Sequence, residues 1–141
     1  MMTSQHFKNL IDIGQIKPEP GNQKEFEGLV HSGQARLKDS HVETLSLESR
    51  FDLAYNAAHA LSLAALRWHG YRSENRYIVF QCLQHTIGVG SDVWRVLALC
   101  HDRRNKGEYD GLFEVNKRLV NDLIQVTETV LNEVIKLGKI S

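Results

Sequence analysis

A cluster of charged and polar residues at positions 103–110 carries the groups in this chain that could do chemistry. The segment reads R-R-N-K-G-E-Y-D, and its candidate binding residues are Arg103, Arg104, Asn105, Lys106 and Tyr109. Guanidinium and ammonium groups bind phosphate, and a tyrosine ring can stack on a base or hydrogen-bond a phosphate. We therefore expect the site here, with an anion as its ligand.

The helix that the sequence predicts from Ser91 onward sets the position of Arg104. Arg104 shares one helical stripe with three apolar residues, Val93, Leu97 and Cys100. Its guanidinium should therefore point toward the core side of the helix, one turn beyond those residues. Because a buried guanidinium without a partner is strongly destabilising, Arg104 must reach a carboxylate, helix-end carbonyl groups or a water-filled cleft.

Gly107 is expected to end this helix in the left-handed conformation that glycine adopts at helix C-termini. The chain would then fold back and bring Tyr109 near Arg104. A purely structural interpretation stays open, because basic residues such as Arg103 and Lys106 stabilise a helix C-terminus by roughly 0.3–1 kcal/mol each. In that case the cluster is only a clamp on a turn.

Helices must position this cluster, and the apolar residues repeat at helical spacing along most of the chain. The spacing predicts helices over residues 4–14, 22–38, 47–69, 74–87, 91–106 and 112–137. No convincing strand is predicted. We expect one all-α domain over residues 1–141, an up-and-down bundle with a four-helix core over 21–138. Residues 1–20 form a short N-terminal helix and a linker with both prolines.

The alanine-rich helix over residues 47–69 is apolar on most sides, which indicates a central position with close neighbours. Gly33 lies on the apolar stripe of the preceding helix and predicts a close helix contact. Asp52 and Asn56, one turn apart, either line the polar side of a cleft or form an exposed polar stripe. Three arginines around the turn at position 70 either extend a positive surface or, as we expect, are solvated side chains near helix ends: Arg67, Arg72 and Arg76.

Composition restricts the function classes. Lysine and arginine together number 17, as do aspartate and glutamate, so the net charge gives no global argument for nucleic acid or an anionic membrane. Two cysteines in apolar helical contexts indicate a reducing compartment. A secretory signal pattern and a long apolar run are both lacking, so we expect a cytoplasmic protein without a membrane segment. We predict no cofactor and no metal site, since the Cys-x-x-His pair formed by Cys82 and His85 has no matching second pair.

The cluster and its place in an all-α chain resemble the HEPN superfamily of small helical domains. The signature of that family is an arginine followed a few residues later by a histidine. The matching segment here is Arg104-Asn105-Lys106-Gly107-Glu108-Tyr109, and the stretch from Ser49 to Ala60 resembles the long helix of such domains. The resemblance implies a homodimer and a site for RNA or a nucleotide. It also implies metal-independent endoribonuclease activity in active members, and a toxin–antitoxin or nucleotidyltransferase partner.

Tyr109 occupies the position of the family's histidine. The reference pKa of tyrosine is about 10 and that of histidine about 6.5, which amounts to about 5 kcal/mol against Tyr109 as a general base. The resemblance therefore implies binding more readily than cleavage. His101, one turn before Arg104, could replace Tyr109 as the base, or could be a surface or capping residue.

Three hypotheses follow from the sequence. The first is a HEPN-like, dimeric protein that binds RNA or a nucleotide through Arg104, Asn105 and Tyr109, with local charge from Arg103 and Lys106. The second is metal-independent RNA cleavage in the same pocket. The third is a non-catalytic oligomeric interaction protein, with its partner surface on the alanine-rich helix and the last helix.

Overall fold

Helices form in each segment where the apolar residues repeat at helical spacing. The computed structural model describes residues 4–110 and 115–140, apart from the side chains of residues 4, 6 and 108–110. In this part of the chain the helices are α1 (Ser4–Asp12), α2 (Gln23–Ser40), α3 (Leu47–Trp68), α4 (Arg76–Gln81), α5 (Leu83–Thr86), α6 (Ser91–Asp110) and α7 (Lys117–Ile135). The predicted all-helical bundle is confirmed.

Side-chain caps begin the two helices that form the main hairpin. The Asn22 side chain accepts a hydrogen bond from the backbone N–H of Glu25 at 2.9 Å, and Ser46 accepts one from Ser49 at 3.1 Å. Each cap satisfies a donor that the first helical turn leaves without a partner.

Two local features differ from the sequence-based prediction. The helix expected over residues 74–87 divides at Cys82 into α4 and α5. Its β-branched and aromatic residues have weak helix propensity, which favours short helical pieces. In addition, β1 (Lys17–Pro18) pairs antiparallel with β2 (Tyr71–Arg72). This pairing connects residues 17–20, which we call the proline segment, to the turn after α3.

The last helix begins later than expected. Asn116 caps α7 by accepting a hydrogen bond from the backbone N–H of Leu119 at 2.8 Å, so the first helical residue is Lys117. Part of the predicted start, residues 112–114, lies outside the described residues. Of the described helices, none is long and apolar enough to span a membrane.

Helix α3 lies at the centre of the bundle, as its composition predicts. Phe51, Tyr55 and Leu61 on this helix are fully buried, and so are its alanines from position 54 onward, except the half-buried Ala60. Helices α2, α6 and α7 pack around it and share one apolar core with it. The alanine-rich surface of α3 is therefore covered within its own chain.

The interpretation of Arg67 as a solvated side chain is wrong. Arg67 is 2% exposed, and its Nε donates to a carboxylate oxygen of Glu25 at 2.6 Å. Its other nitrogens donate to the backbone oxygens of Glu19 and Pro20 at 2.8 Å each. The guanidinium of Arg67 also lies 3.3 Å from a carboxylate oxygen of Glu19, and Arg72 pairs with both carboxylates, at 2.6 Å from Glu19 and 2.5 Å from Glu25. A buried guanidinium needs such a full set of acceptors, and here they come from the proline segment and α2.

Gly33 makes the close helix contact that its position predicts. A Cβ atom added at Gly33 would lie 2.5 Å from Cγ of Leu61 on α3. Real Cβ atoms do not approach this closely, so α2 and α3 can pack at this distance only with glycine there. Gly28, on the same helix, offers a contrast because a Cβ atom there would meet no heavy atom within 4 Å.

Replacement of these two glycines should have opposite effects on stability. Gly33→Ala should lower the free energy of unfolding by about 1–3 kcal/mol, the usual cost of overpacking. Gly28→Ala should raise it by about 0.5–1 kcal/mol, because alanine is the better helix former and finds open space. Urea unfolding of both variants tests this, and equal stabilities would contradict the packing described.

Candidate functional site

The helix that carries the candidate cluster is longer than the sequence predicts. Helix α6 continues through Gly107 to Asp110, so the expectation that Gly107 ends it is wrong. Gly107 is buried in the helix and does not serve as a C-terminal cap. Tyr109 consequently lies in the last turn of α6 and does not belong to a segment that folds back. Its side chain lies outside the described residues.

The predicted direction of Arg104 is confirmed. Leu97 and Cys100 are fully buried and Val93 nearly so, whereas the Arg104 side chain one turn beyond is 26% exposed. The guanidinium therefore sits at the edge of the core, in contact with both protein and solvent. Its Nε lies 3.7 Å from a carboxylate oxygen of Asp52, whose side chain is 61% exposed.

A second guanidinium lies at the same place. The guanidinium carbons of Arg104 and Arg76 lie 4.9 Å and 5.5 Å from the centroid of the Tyr55 ring, distances at which cations interact with an aromatic face. Arg76 also donates to the side-chain oxygen of Asn56 at 3.2 Å. Asp52 and Asn56 thus lie at this edge, and because the Asp52 side chain is 61% exposed, their positions fit both sequence interpretations. Arg76 is not simply a solvated side chain.

His101 joins these groups in a hydrogen-bonded chain. Its Nδ1 lies 2.8 Å from the hydroxyl of Tyr55, and its Nε2 lies 3.0 Å from the amide nitrogen of Asn105. Because an amide nitrogen only donates, Nε2 accepts, and the neutral ring carries its proton on Nδ1. Burial lowers the pKa of His101, and the charges of Arg76 and Arg104 lower it further against the opposing effect of Asp102. The imidazole is therefore uncharged at neutral pH.

His59 lies deeper beside the same groups. Its ring is perpendicular to that of Phe80, with 6.2 Å between the centroids. Burial is the main cause that lowers the pKa of His59 to about 4, and the charges of Arg76 and Arg104 contribute. Burial likewise raises the pKa of the Tyr55 phenol, against the opposing effects of the two arginines. The phenol and both imidazoles are therefore neutral at pH 7, and the charge comes from the arginines and Asp52.

We call this set of residues the cationic cluster. It combines side chains from α3, α4 and α6: Asp52, Tyr55, Asn56, His59, Arg76, His101, Arg104 and Asn105. Arg76 and Arg104 are permanent cations, the described carboxylate beside them is that of Asp52, and the remaining polar groups of the cluster are neutral. The cluster can therefore bind an anion, and it contains an uncharged imidazole that can accept a proton.

Arg103 and Lys106 do not point into the cationic cluster. Together with Leu99, Asp102 and Asn105 they line a separate open groove along α6. The sequence places Arg103, Arg104 and Lys106 in one site, whereas the structure divides them between the cationic cluster and the groove. Asn105 lies where the two faces meet.

Sequence reasoning did not identify three members of the cationic cluster, Tyr55, His59 and Arg76. Tyr55 and His59 are one turn apart on α3 and lie on the same side as Asp52 and Asn56, so helical spacing offers a weak signal. Arg76 carries no such signal, because it approaches Tyr55 from α4 through tertiary packing.

The described residues contain no group of histidine, cysteine, aspartate and glutamate side chains that could hold a metal ion. Comparison with known proteins adds no relative, since no protein-family model, curated protein or solved structure matches the chain. The interpretation of the site therefore rests on its geometry.

The low pKa of His59 makes stability depend on pH. The unfolded chain protonates this histidine below about pH 6.5, whereas the folded protein does so only near pH 4, so stability falls as the pH drops through this window. We expect the wild-type protein to lose about 1–2 kcal/mol of unfolding free energy from His59 between about pH 7 and pH 5. The variant His59→Gln, which has no titratable group at this position, should lose about 1–2 kcal/mol less unfolding free energy than the wild type over the same pH range. Urea unfolding at both pH values tests this, and parallel losses in the two proteins would refute it.

Proposed function

We propose that this chain is a HEPN-like helical protein that binds RNA or a nucleotide at the cationic cluster. The observation that carries the proposal is the convergence of two guanidinium groups, Arg76 and Arg104, on one aromatic ring beside a neutral imidazole. Arginine presents a planar set of donors that matches phosphate oxygens. Phosphate is therefore the anion that this arrangement suits best.

Asp52 does not close the site. Its carboxylate lies 3.7 Å from Arg104, beyond hydrogen-bonding distance, and its side chain is 61% exposed. An exposed ion pair of this kind contributes about 0–1 kcal/mol. An incoming phosphate, which makes short charge-assisted hydrogen bonds, can displace the carboxylate and let it turn into solvent.

The resemblance to the HEPN superfamily supports the same site. Arg104 and Asn105 are the residues that match the family's motif, and both belong to the cationic cluster. Tyr109 remains in the proposal as a ligand-binding residue, with Arg103 and Lys106 as flanking charge. A homodimer, with a toxin–antitoxin or nucleotidyltransferase partner, is the assembly that the resemblance implies.

A metal-independent endoribonuclease is the second candidate, and the position of His101 favours it. RNA cleavage needs a base near the attacking hydroxyl and cations near the phosphate. His101 is an uncharged imidazole whose Nδ1 is fixed by Tyr55 and whose ring lies in the same cluster as Arg104. If the RNA replaces Asn105 at Nε2, that nitrogen can accept a proton. The third hypothesis gains less support, because the alanine-rich face of α3 is buried in its own core.

Binding of RNA should depend strongly on Arg104 and much less on the adjacent Arg103. We expect Arg104→Ala to weaken the binding of a short mixed-sequence single-stranded RNA by about tenfold to a hundredfold, the usual effect of losing a charge-assisted contact. The salt dependence should also become shallower, with the slope of log K against log salt falling in magnitude by about 0.7. Fluorescence anisotropy over a range of salt concentrations measures both quantities.

Arg103→Ala is the matched control, since it removes the same charge from the adjacent position but from the other face of α6. It should change affinity by less than about threefold, as expected for a weak surface charge. Equal losses in the two variants would mean that binding follows only overall charge, and the cationic cluster would not be the site.

Cleavage, if the protein performs it, should require both His101 and Arg104. In EDTA, His101→Gln and Arg104→Ala should each lower the rate of RNA cleavage by about a hundredfold or more, whereas Arg103→Ala should not. Since the base must be uncharged, the wild-type rate should rise with pH through the lowered pKa of His101, which lies below about 6.5, and then level off. Cleavage that survives in both variants would exclude the cluster as the catalytic site.

A further inference from the structure

An exposed aromatic ring lies beside the cationic cluster and is only partly buried by the fold. Tyr77 on α4 keeps 38% of its surface exposed, although Val79 and Phe80 on the same short helix are fully buried. The Tyr77 ring is perpendicular to that of Trp94, with 6.5 Å between the centroids, and lies 6.3 Å from the ring of His101. Neighbours on α6 thus orient a large ring at the surface.

His101 connects this ring to the cationic cluster. The imidazole that lies 6.3 Å from Tyr77 also bonds to the hydroxyl of Tyr55 at 2.8 Å. The Tyr55 ring in turn contacts the guanidinium groups of Arg76 and Arg104. An exposed aromatic ring, a polar imidazole and two cations therefore follow one another across neighbouring side chains.

A nucleotide presents matching groups in the same order. Its flat aromatic base is joined through a polar sugar to an anionic phosphate. With the phosphate at the guanidinium groups, the sugar would lie near His101 and the base near Tyr77. Proteins that bind single-stranded nucleic acids use this combination of aromatic rings and basic groups.

We infer that Tyr77 is the stacking platform for a nucleobase whose phosphate is bound by the cationic cluster. The inference rests on the proposed function and narrows its ligand to single-stranded RNA or a free nucleotide, because the bases of a duplex are already stacked on one another. Every base has an aromatic face, so recognition at Tyr77 should tolerate changes of sequence.

The test compares a short single-stranded RNA with an abasic oligonucleotide of the same length, which keeps the phosphates and lacks the bases. Tyr77→Ala and Tyr77→Leu should each weaken binding of the RNA by about tenfold, whereas Tyr77→Phe, which keeps the ring, should bind as the wild type does. None of the three should alter binding of the abasic oligonucleotide. Leu99→Ala is the matched control. Leu99 is also exposed on the surface, but it lines the groove that contains Arg103 and Lys106.

The outcomes separate the inference from the proposed function. If Arg104→Ala weakens binding and the Tyr77 variants do not, or if those variants weaken RNA and abasic binding equally, the stacking platform is refuted and the phosphate site remains. If the wild-type protein binds neither oligonucleotide, both are refuted. Adenosine 5′-monophosphate distinguishes a free nucleotide from an RNA strand as the ligand. If it competes with RNA for the wild-type protein but not for Tyr77→Ala, one base with its phosphate is sufficient for binding. If it does not compete with RNA, the ligand of the site is an RNA strand. Equal unfolding midpoints confirm that the variants are folded.

Discussion

A central helix buried on most sides needs partners for the large polar side chains that it carries into the core, and Arg50, Tyr55 and Arg67 of α3 find theirs in long-range contacts. Near its start, Arg50 donates to the backbone oxygen of Ser40 at 2.8 Å. Near its end, Arg67 binds Glu25 and the proline segment. Between them, the buried Tyr55 hydroxyl bonds to His101. These contacts connect the segment before α2, the end of α2 and the middle of α6 to α3.

The candidate site lies where the buried polar groups around Tyr55 of α3 reach the protein surface. At the Arg67 end the cations pair with the carboxylates of Glu19 and Glu25. The hydrogen bond from Arg72 lowers the pKa of Glu19, and, although burial opposes it, the hydrogen bonds from Arg67 and Arg72 also lower the pKa of Glu25. At the Tyr55 end, among the described side chains, Arg76 and Arg104 lie beside the exposed carboxylate of Asp52, and burial together with the arginines keeps the imidazoles of His59 and His101 uncharged. The first arrangement closes the fold, whereas the second lies at the edge of the core, where Arg104 and Asp52 reach solvent.

Local patterns in the sequence predicted the helices and the direction of Arg104, because periodicity and side-chain caps act within a few residues. The prediction of a close contact at Gly33 also follows from its position on an apolar stripe. The prediction that α6 ends at Gly107 was wrong. This glycine is buried within a helix that continues past it, because packing overrides the weak helix propensity of a single glycine. Arg76 and Tyr55 could not be paired in advance, because their contact depends on how α4 lies against α3. Arg67 was misinterpreted for the same reason, as its acceptors on Glu19, Pro20 and Glu25 lie more than forty positions away.

The most direct test of the central claim is the pKa of His101 measured by NMR with and without a bound nucleotide. The free protein should show a His101 pKa below the ordinary value of about 6.5, assigned among the seven histidines by its loss in His101→Gln. A phosphate bound at Arg76 and Arg104 adds negative charge beside the imidazole, so saturating adenosine 5′-monophosphate should raise that pKa. An unchanged His101 pKa in the presence of the nucleotide would contradict a phosphate site at the cationic cluster.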